Sequence, residues 1–569
     1  DVEPLSKDNS FSAQHILSPL HGVAIHINAF NFPVWGMLEK ITPTLLAGVP
    51  CLVKPASQTA YLTELVVRRI IDTGILPEGA LQLVCGSVGD LLDHVTEQDA
   101  VTFTGSAHTG RKLKTHPAIV NHSVRFTMEA DSLNATIMGP DAVAGTPEFD
   151  LFVKEVAREM TSKAGQKCTA IRRVIAPRGQ VDALIAALRD RLDKTALGMP
   201  GDEGIRMGPL ASLGQRDEVR ARIRELQAVA EIVAGNPDDV RIASGDAEKG
   251  AFLNPVLLYA DKPFEAAPVH DCEAFGPVST VMAYDDLDEA VALAARGRGS
   301  LVSSIFTDDK DVAERVVLGV APFHGRVLIG NRASAKSSTG HGSPLAPLVH
   351  GGPGRAGGGE ELGGVRAVKH YMQRTAIQGS PDMLTAITGV WHQGAAAHTV
   401  TREDVEAGTA VHPFYKSLAE LTVGDQFASG LRTVTLEDIT AFAEETGDRF
   451  YAHTDEEAAM ANPFFPRRVA HGYLLVSWAA GLFVAPDPGP VLANYGLENL
   501  RFITPVTYDD AIRVTLTAKR ITPRVSDEYG EVAWDCRIHN QKDELCAQYD
   551  VLTLVAKTWP MAPSETSQG

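Results

Sequence analysis

Four short segments carry residue types capable of covalent and acid–base chemistry. Asn28-Ala29-Phe30-Asn31-Phe32-Pro33 offers a side-chain amide, and Phe126-Thr127-Met128-Glu129-Ala130 a carboxylate. Gly165-Gln166-Lys167-Cys168-Thr169-Ala170 offers a thiol, and Glu273-Ala274-Phe275-Gly276-Pro277 a second carboxylate beside an aromatic ring. A thiolate is a nucleophile, a carboxylate takes up protons, and an amide N–H can hold a developing oxyanion. Singly, each has a plainer use: a lone cysteine is most often a small buried hydrophobe, and an asparagine in a loop usually caps a turn. Farther along, Gly447-Asp448-Arg449-Phe450-Tyr451-Ala452-His453 sets an acid and an imidazole close together. Ala470-His471-Gly472-Tyr473 then opens an apolar helix.

These residues need a scaffold, and the hydrophobic pattern supplies one. Gly22–Ile27, Cys51–Val53, Leu81–Val84, Val101–Phe103 and Val124–Met128 read as buried strands, with helical spacing over Leu62–Ile71 and Leu91–Val95. Strands alternating with helices imply crossover units and a parallel sheet covered on both faces. Leu151–Lys163 reads as an amphipathic helix running into the Cys168 segment, and mixed α/β sequence continues to about 330. Residues 351–364 hold eight glycines. The plain reading of such a run is a flexible linker, but Val365–Tyr371 continues as a plausible strand, which places the run inside a domain. A better linker is 379–410. Beyond it, helical spacing over Leu436–Glu445 and Tyr473–Phe483 precedes strand-like runs at Leu500–Ile503, Ile512–Ala518, Val532–Ile538 and Tyr549–Val555. That order suggests an α+β domain.

Composition sets the outer bounds. With 569 residues the length prior is three or four domains. A net charge of −19 opposes nonspecific binding to nucleic acid or anionic membrane. The six cysteines form no CxxC pair, a pattern of reduced cytoplasmic thiols and not of a disulfide framework or zinc site. No metal is expected. There is no long apolar run and no signal peptide, so the chain is read as soluble and cytoplasmic.

In their order and spacing the four segments resemble the aldehyde dehydrogenase superfamily over roughly residues 1–378. The resemblance implies Cys168 as nucleophile, Asn31 and the Cys168 backbone N–H as the oxyanion site, and Glu129 as the base that activates water. CoA-acylating relatives lack that base, so hydrolytic release is expected. One departure stands out: Ala130-Asp131-Ser132-Leu133-Asn134 replaces a Leu-Gly-Gly-Lys-like segment. For the cofactor, Gly105-Ser106-Ala107-His108-Thr109-Gly110 follows a strand and opens a helix, where backbone N–H groups can meet a pyrophosphate. Its glycine spacing also fits a P-loop, but Arg111-Lys112 stands where Lys-Ser/Thr is required. The resemblance places Lys54 and Ser57 at the adenosine ribose, and Glu273 and Phe275 at the nicotinamide end. A hydroxyl at Ser57 where NAD-preferring members often carry Glu, with Lys54 beside it, favours NADP.

The C-terminal unit resembles the (R)-specific enoyl-CoA hydratase family, built on a hot-dog fold, over about 411–558. That resemblance implies an Asp448–His453 dyad holding water and the Gly472 N–H receiving a thioester oxygen. Common members have Asn-Pro between the acid and the imidazole, whereas Phe450-Tyr451 stands here, which points away from a simple linear enoyl chain. Arg467, Arg468, Lys519, Arg520 and Arg524 are candidates for CoA phosphates, with solvated surface charge as the plainer alternative.

The expected architecture is α/β: a Rossmann-like cofactor domain over 1–130 with an oligomerisation hairpin near its start, and a dehydrogenase catalytic domain over 131–378. A linker at 379–410, a hot-dog domain at 411–558 and a tail at 559–569 complete it. Relatives pair their dehydrogenase subunits, so a homo-oligomer (a hexamer by resemblance) joined through Val365–Gln378 is expected. Dehydrogenases of this superfamily carry over a hundred residues before the Asn-Phe-Pro segment, so a missing N-terminal piece is also expected. The tandem pairing resembles bifunctional ring-opening enzymes of aerobic phenylacetate degradation. It implies hydrolytic opening of oxepin-CoA and NADP-dependent oxidation of the semialdehyde to 3-oxo-5,6-dehydrosuberyl-CoA. Two alternatives are an enoyl-CoA hydratase joined to another CoA-semialdehyde dehydrogenase, and a dehydrogenase with a non-catalytic hot-dog module.

Overall fold

The computed structural model describes residues 2–87, 89–362 and 364–560; most of the expected tail lies outside the described residues. The chain forms two compact units, Leu17–Gln373 and Asp1–Ile16 with Arg374–Gly569. Near the start, Val2–Pro4 and Ser12–Pro19 pair as an antiparallel hairpin.

In the first unit, short apolar runs make a five-stranded parallel sheet: β1 (Ala24–Ile27), β2 (Cys51–Lys54), β3 (Leu81–Leu83), β4 (Ala100–Gly105) and β5 (Arg125–Ala130). Their order is β3-β2-β1-β4-β5. Helices α1 (Trp35–Leu46), α2 (Ala60–Asp72) and α3 (Ala107–Lys114) connect them. Ala24, Cys51, Val53, Ala100 and Val101 are wholly buried, as strands covered on both faces require.

A seven-stranded sheet follows, made of β6 (Ala135–Met138), β7 (Arg173–Pro177), β8 (Glu231–Ala234), β9 (Val256–Ala260), β10 (Val278–Tyr284), β11 (Ser300–Phe306) and β12 (His324–Gly330). Its order is β8-β9-β10-β7-β6-β11-β12, parallel except for the edge pair β8–β9. Helix α4 (Pro147–Thr161) is capped by Thr146 and buries Phe149, Phe152, Val153, Val156 and Met160.

The second unit wraps a seven-stranded sheet around one apolar helix, α5 (Gly472–Phe483), which packs on β16. Strands β13 (His398–Thr401), β14 (Asp425–Ala428), β15 (Val491–Phe502), β16 (Ala511–Pro523), β17 (Tyr529–Asn540) and β18 (Leu545–Ala556) run in the order β13-β14-β16-β17-β18-β15, with Arg432–Thr433 pairing β16. This is the hot-dog arrangement.

Two local expectations are corrected. Val365–His370 is a helix and the strand begins only at Met372. Ala367 and Tyr371, four apart, are both buried, a spacing that a helix and not a strand puts on one face. Residues 379–410 carry the helices Pro381–Thr388 and Arg402–Glu406 and the sheet strand β13.

The core of the second unit centres on Trp534, fully buried with Nε1–H donating to Thr553 Oγ1 at 2.8 Å. Trp534→Ala should cost about 3–5 kcal/mol, measured by denaturant unfolding of this unit.

Candidate active sites

The first site lies at the carboxyl ends of the parallel strands, where open α/β sheets bind ligands. The Asn31 loop follows β1, Lys54 closes β2, Gly105 closes β4, and Glu129 sits near the end of β5. Cys168 arrives from α4 through a turn that the helical pattern does not foretell. Lys163, Ala164 and Gly165 are all left-handed, with φ of +53°, +53° and +67°. Only glycine fits the last, because a Cβ there would fall 2.1 Å from the Gly276 carbonyl oxygen. Arg172 ties the turn by donating to the carbonyls of Gly276 (2.6 Å) and Gly165 (2.8 Å). The amide of Asn134 then donates to the carbonyls of Cys168 (2.7 Å) and Ala170 (2.9 Å). The departure at 130–134 therefore supplies its own support for the thiol.

Two cavities meet at this point. One, of about 390 Å³, is lined by Asn31, Lys40, Glu129, Lys163, Cys168 and His350. The other, of about 450 Å³, brings together Lys54, Ser57, Gly105, Ser106, Glu273 and Phe275, every residue expected at the cofactor. Asn31, Glu129 and Cys168 line both. Ser106 caps α3, its hydroxyl accepting from the Thr109 N–H at 3.3 Å. The Asn28 amide and Thr104 Oγ1, in the wall of the second cavity, are buried without hydrogen-bond partners. Such orphaned groups, with a helix N-terminus and a lysine, fit an anionic dinucleotide.

Sequence reasoning missed His350. A carboxylate oxygen of Glu129, an imidazole nitrogen of His350 and Cys168 Sγ all lie within 4.8 Å of one another. His350 Nε2 is 3.4 Å from Glu129 Oε2, and both side chains are almost completely buried. Burial alone would raise a carboxyl pKa and lower an imidazole pKa. Here the partner's charge prevails on both sides, holding Glu129 below the usual carboxylate range and His350 well above 6.5. Folding is thus favoured by Glu129 above the ordinary carboxylate pKa, a contribution lost in acid. His350 contributes below the ordinary imidazole pKa, and that part is lost as pH rises through its raised value. The Cys168 thiol is pushed up to about 12 by burial and by the Glu129 carboxylate, while His350 pulls it down. Burial raises Glu273 to about 7. The only sequence signal for His350 was an imidazole directly before the glycine-rich run.

The second site groups Asp448, His453 and His471, each offering an atom within 4.8 Å of the others. His453 Nδ1 lies 2.7 Å from the Val469 carbonyl oxygen, so the ring donates there and leaves the Nε2 lone pair free. His471 stacks on it with centroids 3.8 Å apart and bonds the Asp448 carbonyl at 2.9 Å. Gly472 begins α5, with its N–H at the positive end of the helix dipole. His453 and Gly472 line a cavity of about 440 Å³ walled by Phe464, Phe465, Phe502, Ile503 and Pro505. Several of the candidate phosphate cations are already engaged. Arg467 stacks on Tyr508, Arg468 donates to the His453 carbonyl, Lys519 pairs with Asp550 and Arg524 with Glu531.

The chain belongs to the aldehyde dehydrogenase family, whose model matches residues 2–377. A MaoC like domain matches residues 422–533, so a dehydrogenase domain is joined to a hydratase-type one. The chain is 50% identical over 349 residues to a 3,4-dehydroadipyl-CoA semialdehyde dehydrogenase of Aromatoleum evansii, covering 61% of this chain and 68% of that one. It is 49% identical over 335 residues to Protein MaoC of Klebsiella aerogenes, covering 58% and 95%. Among solved structures, betaine aldehyde dehydrogenase of Staphylococcus aureus in complex with NAD+ superposes with a TM-score of 0.58 at 27% identity, over 66% of this chain and 71% of that one. Among the described residues no helix is long and apolar enough to cross a membrane.

His350→Asn removes the imidazolium that opposes burial at the thiol. Alkylation of Cys168 by iodoacetamide at pH 8 should slow by about tenfold. A wild-type rate would show that His350 does not govern the thiol.

Proposed function

We propose that the chain is a cytoplasmic, homo-oligomeric enzyme that opens the ring of oxepin-CoA and oxidises the resulting semialdehyde to 3-oxo-5,6-dehydrosuberyl-CoA with NADP. The observation that carries this reading is the pairing, in one chain, of the Cys168–Glu129–His350 cluster with the Asp448–His453–Gly472 arrangement. A relative named for a CoA semialdehyde supports the substrate class.

At the second site the free Nε2 of His453 and the Asp448 carboxylate hold a water and take its proton as its oxygen adds to the ring carbon bearing the ether oxygen. The thioester oxygen, negative in the enolate, meets the Gly472 N–H and the α5 dipole. The proton returns to carbon. The hemiacetal so formed passes its hydroxyl proton to the ring oxygen as the ring C–O bond breaks, leaving an aldehyde on the CoA-bearing chain and an enol that tautomerises to the 3-oxo group. The aromatic wall of Phe464, Phe465 and Phe502 suits a flat ring better than a flexible chain.

At the first site the Cys168 proton passes to Glu129, whose Oε1 has no hydrogen-bond partner, and the thiolate stays beside the His350 imidazolium. Sulfur attacks the aldehyde carbon while the Asn31 amide and Cys168 N–H hold the oxyanion. When bound, the nicotinamide supplies the acceptor for the hydride of that carbon. Glu129, its proton lost to solvent, then takes one from water as the water oxygen attacks the acyl carbon, and the carbon–sulfur bond breaks to free the acid and the Cys168 thiolate. Lys54 and Ser57 would hold the adenosine ribose, and Gly105 and Ser106 the pyrophosphate. Glu273 and Phe275 would hold the nicotinamide end. A lysine with no carboxylate at Ser57 favours a 2′-phosphate.

Oxepin-CoA incubated with and without NADP, with products followed by mass spectrometry, tests this directly. Cys168→Ala should abolish NADPH formation and spare ring opening, while Asp448→Asn or His453→Ala should abolish ring opening and spare NADPH formation from hexanal supplied directly. Loss of both activities in every variant would end the two-site reading. Ser57→Glu should lower kcat/KM for NADP by about tenfold or more through like-charge repulsion, shifting preference toward NAD.

A further inference from the structure

Two features have no part in the chemistry above: the aspartate that departs from the family segment after Glu129, and the arginine inside the glycine-rich run. Asp131 sits in the left-handed region at φ +49°, where side chains are uncommon and Asp and Asn are the usual exceptions. Its carboxylate is gripped by Arg355, whose Nη2 donates to both oxygens at 2.8 Å. The two side chains are only 12% and 21% exposed. The same guanidinium donates to the carbonyls of His270 and Asp271, each at 2.7 Å.

This contact fixes a backbone and not merely a pair of side chains. Around Arg355 the run lies directly on β5: at Gly357, with φ +110°, a Cβ would fall 2.0 Å from the Met128 carbonyl oxygen. The run begins just after His350, whose imidazole reaches Glu129. Asp131 and Glu129 are next-but-one neighbours, so the anchor and the charge pair act on the same strand end. An exposed pair would contribute little. A largely buried one leaves an unpaired charge when either partner is removed, so it holds its register firmly.

We propose that Asp131 and Arg355 are positioning residues for the dehydrogenase reaction, their ion pair latching the glycine-rich loop across the end of β5 and so holding His350 against Glu129 and Cys168. The inference rests on the reading of Cys168 and Glu129 given above. Asp131 also lines the cofactor cavity, but neither it nor Arg355 touches the reacting atoms in this scheme, and their proposed effect on kcat runs through His350.

The test uses the full chain, with hexanal and NADP. Asp131→Asn keeps the shape and tolerates the left-handed backbone while removing the charge. It should lower kcat about tenfold with both KM values within about threefold of wild type. The acid limb of the pH–rate profile should move to higher pH as Glu129 loses its partner, and Cys168 alkylation at pH 8 should slow as in His350→Asn. The double variant Asp131→Asn/His350→Asn should be no slower than His350→Asn alone, because both changes remove one interaction. Arg355→Lys, which keeps the charge, should give an intermediate loss and serves if Asp131→Asn fails to fold. Wild-type kcat and alkylation in these variants would overturn the latch. So would losses that multiply with that of His350→Asn, since a merely structural role is additive. NADPH formation by Cys168→Ala would instead overturn the underlying dehydrogenase reading, and the inference with it.

Discussion

A buried carboxylate and a buried imidazole, 3.4 Å apart beside a thiol, set the terms for the whole first unit. Neither charge would persist alone in an interior that disfavours ions, and together each keeps the other ionised. The cluster needs three chain segments delivered to one point. β5 delivers Glu129, the turn after α4 delivers Cys168, and the segment before the glycine-rich run delivers His350. Much of the surrounding structure holds these three segments still. Asn134 and Arg172 fix the thiol's backbone, and Lys167 pairs with Glu159 on α4 at 2.7 Å. The cost of desolvating the pair is met by this preorganised frame and not by water.

The second unit meets a different constraint. Its apolar helix can be buried only by a sheet that wraps it, and the sheet's long antiparallel strands do so through Trp534, Cys536, Ile538 and Val514, all wholly buried. Wrapping leaves the start of the helix facing the cavity lined by His453 and Gly472. The Gly472 N–H therefore lies next to His453, whose tautomer is set by the Val469 carbonyl. An apolar helix with a polar start is at once the core of the unit and its electrostatic device.

Much of this was legible in the chain. Short apolar runs separated by helical spacing gave the parallel sheet, because strands covered on both faces have no polar side to show. Cys168, Glu129, Asn31 and the cofactor-lining residues stood out because their contiguous segments together carry the family resemblance. Asp448, His453 and Gly472 stood out for the same reason. The helix at Val365–His370 was misread as strand because its apolar residues also suit short alternation, and only burial of Ala367 and Tyr371 on one side settles the period.

The sequence by itself determined the two kinds of unit, the strand-end placement of the carboxylate and the presence of a thiol nucleophile candidate. The units follow from local periodicity, and the thiol and carboxylate from the family resemblance that their segments carry. Only the tertiary structure decided that His350 completes the cluster, that Asp131 answers Arg355, and that consecutive left-handed residues deliver Cys168. Each of these depends on segments far apart in the chain meeting at a strand end, and on buried charges whose state is fixed by the partner that folding brings to them.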